Sequence, residues 1–230
     1  MTIRLYELVG ADPRRPFSPH CWKTAWSLAH KGLDYEAVPT PFTAVPSVEG
    51  GASKTVPVIR DGETVVSDSF QIAQYLDETY PDRPTLFGGE GGRALSRFVE
   101  RWMQFSVHPF LGRVMLMDIH DCLAPVDQAY FRQSREARFG IRLEEGPLGR
   151  EEGVTAFRAS LMPLRKTLEM QPFLGGEAPL FADYVVAGTF QWARVVSPMR
   201  MLEADDPIAI WFERILDLYD GRGRSVPAAA

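Results

Sequence analysis

The hydrophobic period of this chain changes once, and that change limits it to folds with two unlike parts. Up to about Pro81, short stretches that alternate apolar and polar residues are interleaved with stretches of helical spacing. From about Gly91 onward nearly everything has helical period. Between them, Tyr80-Pro81-Asp82-Arg83-Pro84 and Gly88-Gly89-Glu90-Gly91-Gly92 carry the proline and glycine that punctuate a linker. A length of 230 residues accommodates two domains. The resulting expectation is an α/β domain over residues 1–82, a linker over 83–92 and an all-α domain over 93–230, with a loose tail from Gly221 to Ala230.

Within the first part, Ile3 and Leu5 alternate with Arg4 and Tyr6, the pattern of a strand over Thr2–Leu8. Trp22, Ala25, Trp26 and Ala29 share one face of a helix over Pro19–His30, and Gly32 supplies its stop. Tyr35–Pro39 reads as a second strand. Val56-Pro57-Val58-Ile59 and Thr64-Val65-Val66 flank Asp61-Gly62, a hairpin signature. Ile72, Leu76 and Tyr80 then mark a helix capped by Asp68 or Ser69. The second part predicts helices over Arg93–His120, Gln128–Leu143, Val154–Met170, Asp183–Arg200 and Ile208–Tyr219. Leu86-Phe87 are expected to pack across the junction of the two parts.

Composition excludes several classes. With 45% hydrophobic and 24% charged residues the chain is an ordinary globular one. Cys21 and Cys122 are too few for a disulfide scaffold, and a formal charge of −5 argues against a protein that tracks nucleic-acid phosphates. No apolar run reaches membrane-spanning length. The charged, alternating start from Met1 to Leu8 is unlike a signal peptide, so the expected location is a reducing cytoplasm with two free thiols. His20, His30, His108 and His120 show no metal-ligand spacing, and Arg14-Arg15 and the arginines of Arg132–Arg142 read as solvated charge.

Three short segments can carry chemistry. Phe17-Ser18-Pro19-His20-Cys21 places a hydroxyl at a helix N-cap and a proline at the first helical position. Such a cap is ordinary in itself, but a helix start also stabilises an anion, and a thiolate held there has a lowered pKa. Cys21 lies one turn into that helix, where it is either a structural thiol or a redox centre. Val56-Pro57 belongs at a strand edge: a trans bond is favoured by the base rate of X-Pro bonds, whereas a cis bond would present the Val56 backbone to an extended peptide. Asp68-Ser69 are helix caps that can also hold an ammonium and a carboxylate. In chain order, a thiol site, a peptide-binding edge and an amino-acid head-group site outline a small thiol peptide. Trp102, Phe105, Phe110, Met115 and Met117 read mostly as core, with some available to line an apolar pocket facing the first domain.

These residues resemble the soluble glutathione transferases along nearly the whole chain. Ser18-Pro19 is similar to that family's serine at the first helix start, and Val56-Pro57-Val58-Ile59 to its strand with a cis-proline. Asp68-Ser69 is similar to its γ-glutamyl-binding pair, and Phe181-Ala182-Asp183-Tyr184 to its buried helix-capping aspartate. The segments Ser18–Thr24, Tyr75–Pro84 and Phe173–Gly176 further resemble the bacterial β-etherases, which cleave β-aryl ethers, and related fungal transferases. Leu180 departs from the usual hydroxyl residue three places before Asp183, and Thr55 departs from a common basic or amide residue, with Lys54 as its substitute.

The resemblance implies a thioredoxin-like domain followed by a helical domain, glutathione as co-substrate and a homodimer. It implies Ser18 as the catalytic donor to the thiolate, glutathione along Lys54, Val56, Pro57, Asp68 and Ser69, and a hydrophobic or aromatic electrophile against Phe17, Trp102, Phe105 and Met115. Two other readings follow from the same residues: a thiol–disulfide or deglutathionylating enzyme that uses Cys21, and a non-catalytic protein that binds hydrophobic ligands on the same fold.

Overall fold

The computed structural model describes residues 2–230. Its first part is a four-stranded sheet of β1 (Ile3–Leu8), β2 (Tyr35–Thr40), β3 (Val58–Asp61) and β4 (Thr64–Ser67) in the order β2-β1-β3-β4. The parallel β1–β2 pair is joined by helix α1 (Pro19–His30), because parallel neighbours need a long crossover. β3 runs antiparallel to both β1 and β4, and Asp61 pairs with Thr64 to close the hairpin around Gly62. Helix α2 (Ser69–Thr79) follows. A stretch of 3-10 helix (Phe42–Gly50) occupies part of the connection before β3.

The helical part contains α3 (Glu90–Trp102), α4 (His108–Val114), α5 (Leu116–Asp121), α6 (Pro125–Phe139), α7 (Arg150–Ser160), α8 (Met162–Leu168), α9 (Phe181–Val196) and α10 (Pro207–Gly221). The single helix expected over Arg93–His120 is three pieces. Pro109 has no N–H to donate to the preceding turn, and the backbone there loosens into a π-helical turn over Met103–Val107. Met115, at φ −98° and ψ 12°, breaks it a second time. The helix expected over Val154–Met170 is likewise split, at Leu161, two residues before Pro163. α6 ends at Gly140, which takes the left-handed conformation at φ 68°.

The two parts share one apolar core. Leu86 and Phe87 are buried in it, and the rings of Phe70, Phe87 and Phe181 pack with all three centroid separations at 5.4 Å. Helix α9 crosses α1 at close range: a Cβ on Gly188 would stand 2.4 Å from the Pro19 carbonyl oxygen, so only glycine permits this approach. Trp26 of α1 stacks on Tyr184 of α9, and the buried Lys23 of α1 is paired with Glu100 of α3 at 3.2 Å.

Asp183 organises the start of α9. Its carboxylate accepts from the Leu174, Gly175 and Leu180 amides at 2.7, 2.9 and 3.0 Å and from the Trp211 indole N–H at 3.0 Å. Leu180 has no side-chain oxygen to return the bond, and its carbonyl accepts from the Asp183 amide at 2.9 Å instead, so the Asp183 carboxylate is the only side chain in the cap.

The C-terminal residues are not the loose tail expected from their composition. Gln191 donates to the Gly223 carbonyl at 2.8 Å, Arg194 to the Val226 carbonyl at 2.7 Å, and the Ala229 amide to the Arg194 carbonyl at 2.8 Å. The Arg222 guanidinium lies 4.6 Å from the Tyr35 ring centroid and faces the buried Glu7, whose carboxyl is pushed up to about 7 by desolvation against the opposing pull of that guanidinium.

Two outcomes are expected. Asp183→Ala lowers unfolding free energy by at least about 3 kcal/mol in chemical denaturation, since each buried donor left unpaired costs roughly 1–3 kcal/mol. For Glu7, the folded chain keeps the proton to about pH 7 whereas an unfolded glutamate releases it near 4.5. The contribution of Glu7 to stability is therefore complete below the lower value and declines as pH rises between the two. A melting series over that window should show a shallower decline for Glu7→Gln than for the parent; parallel slopes would contradict the assignment.

Candidate functional site

The loop from β1 into α1 sets the centre of the site. Ser18, at φ −61° and ψ 127°, is the N-cap of α1, and Pro19 follows it, where a missing N–H costs nothing. The Ser18 hydroxyl oxygen accepts from the Cys21 amide at 3.4 Å. With an oxygen lone pair turned to the helix, the hydroxyl proton remains available to donate, and the side chain borders a cavity of about 660 Å³ between the two parts of the chain. The amides of the first turn direct partial positive charge to the same place.

Phe17, Ser18, Lys54 and Val56 all line this cavity. The Val56-Pro57 bond is cis, not the trans form favoured by the base rate. Strand pairing begins only at Val58, so the amide and carbonyl of Val56 stand outside the ladder at the cavity wall. Asp68 borders a second, smaller cavity of about 130 Å³ with Lys23, Arg97, Glu100 and Arg101. His20, Gln104 and His108 line both cavities, which are therefore neighbours. Asp68 also caps α2: one carboxylate oxygen accepts from the Phe70 and Gln71 amides, both at 3.0 Å, from a left-handed backbone at φ 73°. Its other oxygen accepts no hydrogen bond among the described residues, with Lys23 and Arg97 lining the same cavity. Ser69 is buried beside it, at the first position of α2.

Three expected pocket residues stand elsewhere. Met115 is fully buried in the core, at the break between α4 and α5. Phe105 points to solvent from the π-helical turn, and Trp102 packs partly buried against the core; neither borders the cavity. The far wall is instead formed by Phe42, Tyr130, Phe131, Arg135, Arg138 and Trp192. The expectation that the α6 arginines are solvated charge thus fails for the half-buried Arg135, while Arg138 borders the cavity and is exposed as expected. The four-residue spacings Phe131–Arg135 and Arg135–Phe139 put these side chains on one helical face, a pattern present in the sequence and masked by its charge.

Burial governs the basic groups at the centre of the site. Burial and the charge of Lys23 pull His108 down to about 4, so its imidazole is neutral at pH 7, with Nε2 2.8 Å from the Thr189 hydroxyl. Burial pulls Lys23 down as well, opposed by Glu100. Cys21 points away from the cavity into the sheet: its sulfur accepts from the Leu8 amide at 3.5 Å, it is fully buried, and burial pushes the thiol up to about 12. A thiol of that kind is not a nucleophile at neutral pH. Among the described residues no cluster of His, Cys, Asp and Glu is arranged to hold a metal ion, and no helix is long and apolar enough to cross a membrane.

The surroundings of this site have counterparts in known proteins. Residues 13–84 match the family model described as the glutathione S-transferase N-terminal domain, and residues 94–217 match the one described as the glutathione S-transferase C-terminal domain. A glutathione S-transferase-like protein, ustS, of Aspergillus flavus is 30% identical over 207 residues, covering 78% of this chain and 75% of the relative. Among solved structures, glutathione transferase GSTFuA3 from Phanerochaete chrysosporium is 29% identical with a TM-score of 0.78, covering 100% of this chain and 99% of that one. The glutathione S-transferase CsGST63524 of Ceriporiopsis subvermispora, solved in complex with glutathione, is 26% identical with a TM-score of 0.81 and full coverage, 100%, of both chains. With both family models matched in order around one cleft, the thioredoxin-like sheet domain and the helical domain are those of a glutathione S-transferase, and the chain belongs to that family.

Proposed function

We propose that this transferase activates the thiol of glutathione, the co-substrate of its family, at Ser18 for attack on a hydrophobic aromatic electrophile, with β-aryl ethers as the first substrates to test. The observation that carries this reading is the placement of the Ser18 hydroxyl, its oxygen engaged by the Cys21 amide, on the wall that also bears Val56 and Lys54. Glutathione fits along that wall. Its cysteinyl backbone would meet the Val56 amide and carbonyl beside Pro57, its glycyl carboxylate Lys54, and its γ-glutamyl end Asp68 and Ser69 at the smaller cavity.

The Ser18 hydroxyl would then donate to the sulfur and hold it as thiolate. Lowering a thiol by two pKa units from about 8.5 requires about 2.7 kcal/mol, within reach of a charge-assisted hydrogen bond aided by a helix terminus. In an aryl ether the thiolate attacks the β-carbon: a C–S bond forms, the C–O bond breaks, and the phenolate leaves with the electron pair to take a proton from solvent. The aromatic wall of Phe42, Tyr130 and Phe131 supplies the apolar surface for the ring. The fully buried, high-pKa Cys21 supports a serine-type transferase over a thiol–disulfide enzyme.

The reading includes a homodimer, supported by the exposed Leu95, Phe98 and Phe105 along α3 and the turn that follows it, and a cytoplasmic location, supported by two free thiols. It includes no nucleic-acid and no membrane partner. The test is steady-state turnover of a β-aryl ether and of a chlorodinitrobenzene with glutathione. Ser18→Ala should lower kcat/KM about 10–100-fold, as hydrogen bonds to charged groups contribute roughly 1.5–3 kcal/mol, whereas Cys21→Ala should keep most of it. Loss with Cys21→Ala in a folded variant and retention with Ser18→Ala would reverse the assignment. Absence of any thioether product from either compound would leave a ligand-binding protein on this fold.

A further inference from the structure

The wall of the larger cavity carries Lys54, Arg135 and Arg138 and no aspartate or glutamate, in a chain whose formal charge is −5. Anion-attracting charge has therefore been concentrated here against the overall balance. The arginines of α6 divide by the face they occupy. Arg132, turned away from the cavity, is paired with both Glu136 and Glu144 at 2.9 Å. Arg135 donates only to the Ser134 hydroxyl, at 3.0 Å, and neither it nor Arg138 has a carboxylate partner among the described residues.

Arg135 is also held in place. Its guanidinium lies 4.8 Å from the Phe131 ring centroid and 5.4 Å from that of Phe42. Aromatic packing of this kind fixes the guanidinium while leaving N–H donors at its edge, the arrangement that suits a planar carboxylate. Glutathione does not account for this charge: its glycyl carboxylate is assigned to Lys54, and its γ-glutamyl end to the smaller cavity beside Arg97 and Arg101. The α6 guanidinium groups are left for the other substrate.

We propose that Arg135, reinforced by the like charge of Arg138, is a specificity-determining residue that selects aromatic electrophiles bearing a carboxylate. The substrate ring packs against Phe42, Tyr130 and Phe131 while its carboxylate meets the Arg135 guanidinium. The carboxylate takes no part in bond making. This assignment names the substrate class of the transferase site and rests on that reading for the chemistry, though not for the binding.

The test pairs an acid with its neutral ester. Calorimetry measures binding of 3-nitrobenzoate and methyl 3-nitrobenzoate, with and without the unreactive S-methylglutathione. Turnover is followed with 4-chloro-3-nitrobenzoate and its methyl ester, where the glutathione sulfur bonds to the ring carbon, chloride leaves with the C–Cl electron pair, and the thiol proton passes to solvent. The parent protein should bind the acid about tenfold or more tightly than the ester, as expected for a charge-assisted bidentate contact. Arg135→Met should bring that ratio close to unity, Arg135→Lys should retain part of it, and Arg138→Gln should reduce it by a smaller factor. Thermal unfolding of each variant verifies that it is folded. Equal binding of acid and ester by the parent, or an unchanged ratio in Arg135→Met, would overturn the proposal. So would a raised KM for glutathione in Arg135→Met with the acid-to-ester ratio intact, because the anion recognised would then be glutathione's own. An Arg135-dependent preference in binding without turnover of either compound upholds the role of Arg135 and removes the transferase reading.

Discussion

The close passage of α9 over the first turn of α1 is the contact on which the site depends. Gly188 has no side chain to hold the two helices apart, and the Pro19 carbonyl occupies the space that a Cβ would need. The start of α1 is thereby fixed from the helical domain, so the N-cap serine is placed by both halves of the chain. The same crossing carries the Trp26–Tyr184 stack, while the Lys23–Glu100 pair ties α1 to α3 alongside it. Interiors as dense as this transmit displacement, and a shift of α9 would move Ser18 relative to the Val56 edge. Asp183 stands at the origin of the arrangement, because its carboxylate gathers the Leu174–Leu180 loop and Trp211 around the start of α9.

The site's electrostatics follow from what surrounds that helix start. The groups nearest Ser18 are neutral or buried: His108 is kept uncharged, and Cys21 is turned into the sheet as a protonated thiol. Net positive charge stands farther out on the wall, at Lys54 on one side and at Arg135 and Arg138 on α6. Under the proposed reading a bound thiol would meet a single hydroxyl donor and the helix amides, and the charged ends of its carrier would be met elsewhere. Such separation would let the wall attract anions while oriented dipoles stabilise the sulfur, as fixed dipoles do more effectively than water.

How much of this was readable in the residues depended on how local each feature is. The hairpin at Asp61-Gly62 and the cap at Ser18-Pro19 are set within a few residues, and each stands where its pattern indicates. Helix lengths were overestimated where apolar periodicity continued through Pro109 and Pro163, although proline's missing N–H argues for a break at both. The docked C-terminus gave no local sign, since it is held by Gln191 and Arg194, more than a helix away in sequence. Met115 has the size and polarity of a pocket residue but turns inward at a helix break, while Arg135 has the look of a surface residue and borders the cavity. Composition assigns a side chain to inside or outside only on average; α6 is held against the 3-10 segment by Asp127, which accepts from the Phe42 and Thr43 amides at 3.0 and 2.9 Å, and this brings Arg135 to the cavity wall.

The central claim is that the Ser18 hydroxyl holds the glutathione sulfur as a thiolate. The most direct measurement is the ultraviolet thiolate band of glutathione bound to the protein, titrated across pH for the parent and for Ser18→Ala. The account predicts that the band appears below the pH at which free glutathione ionises, and that Ser18→Ala moves it back toward the free value. A saturable band at the same pH in both proteins, or none in a folded protein shown to bind glutathione, would contradict it.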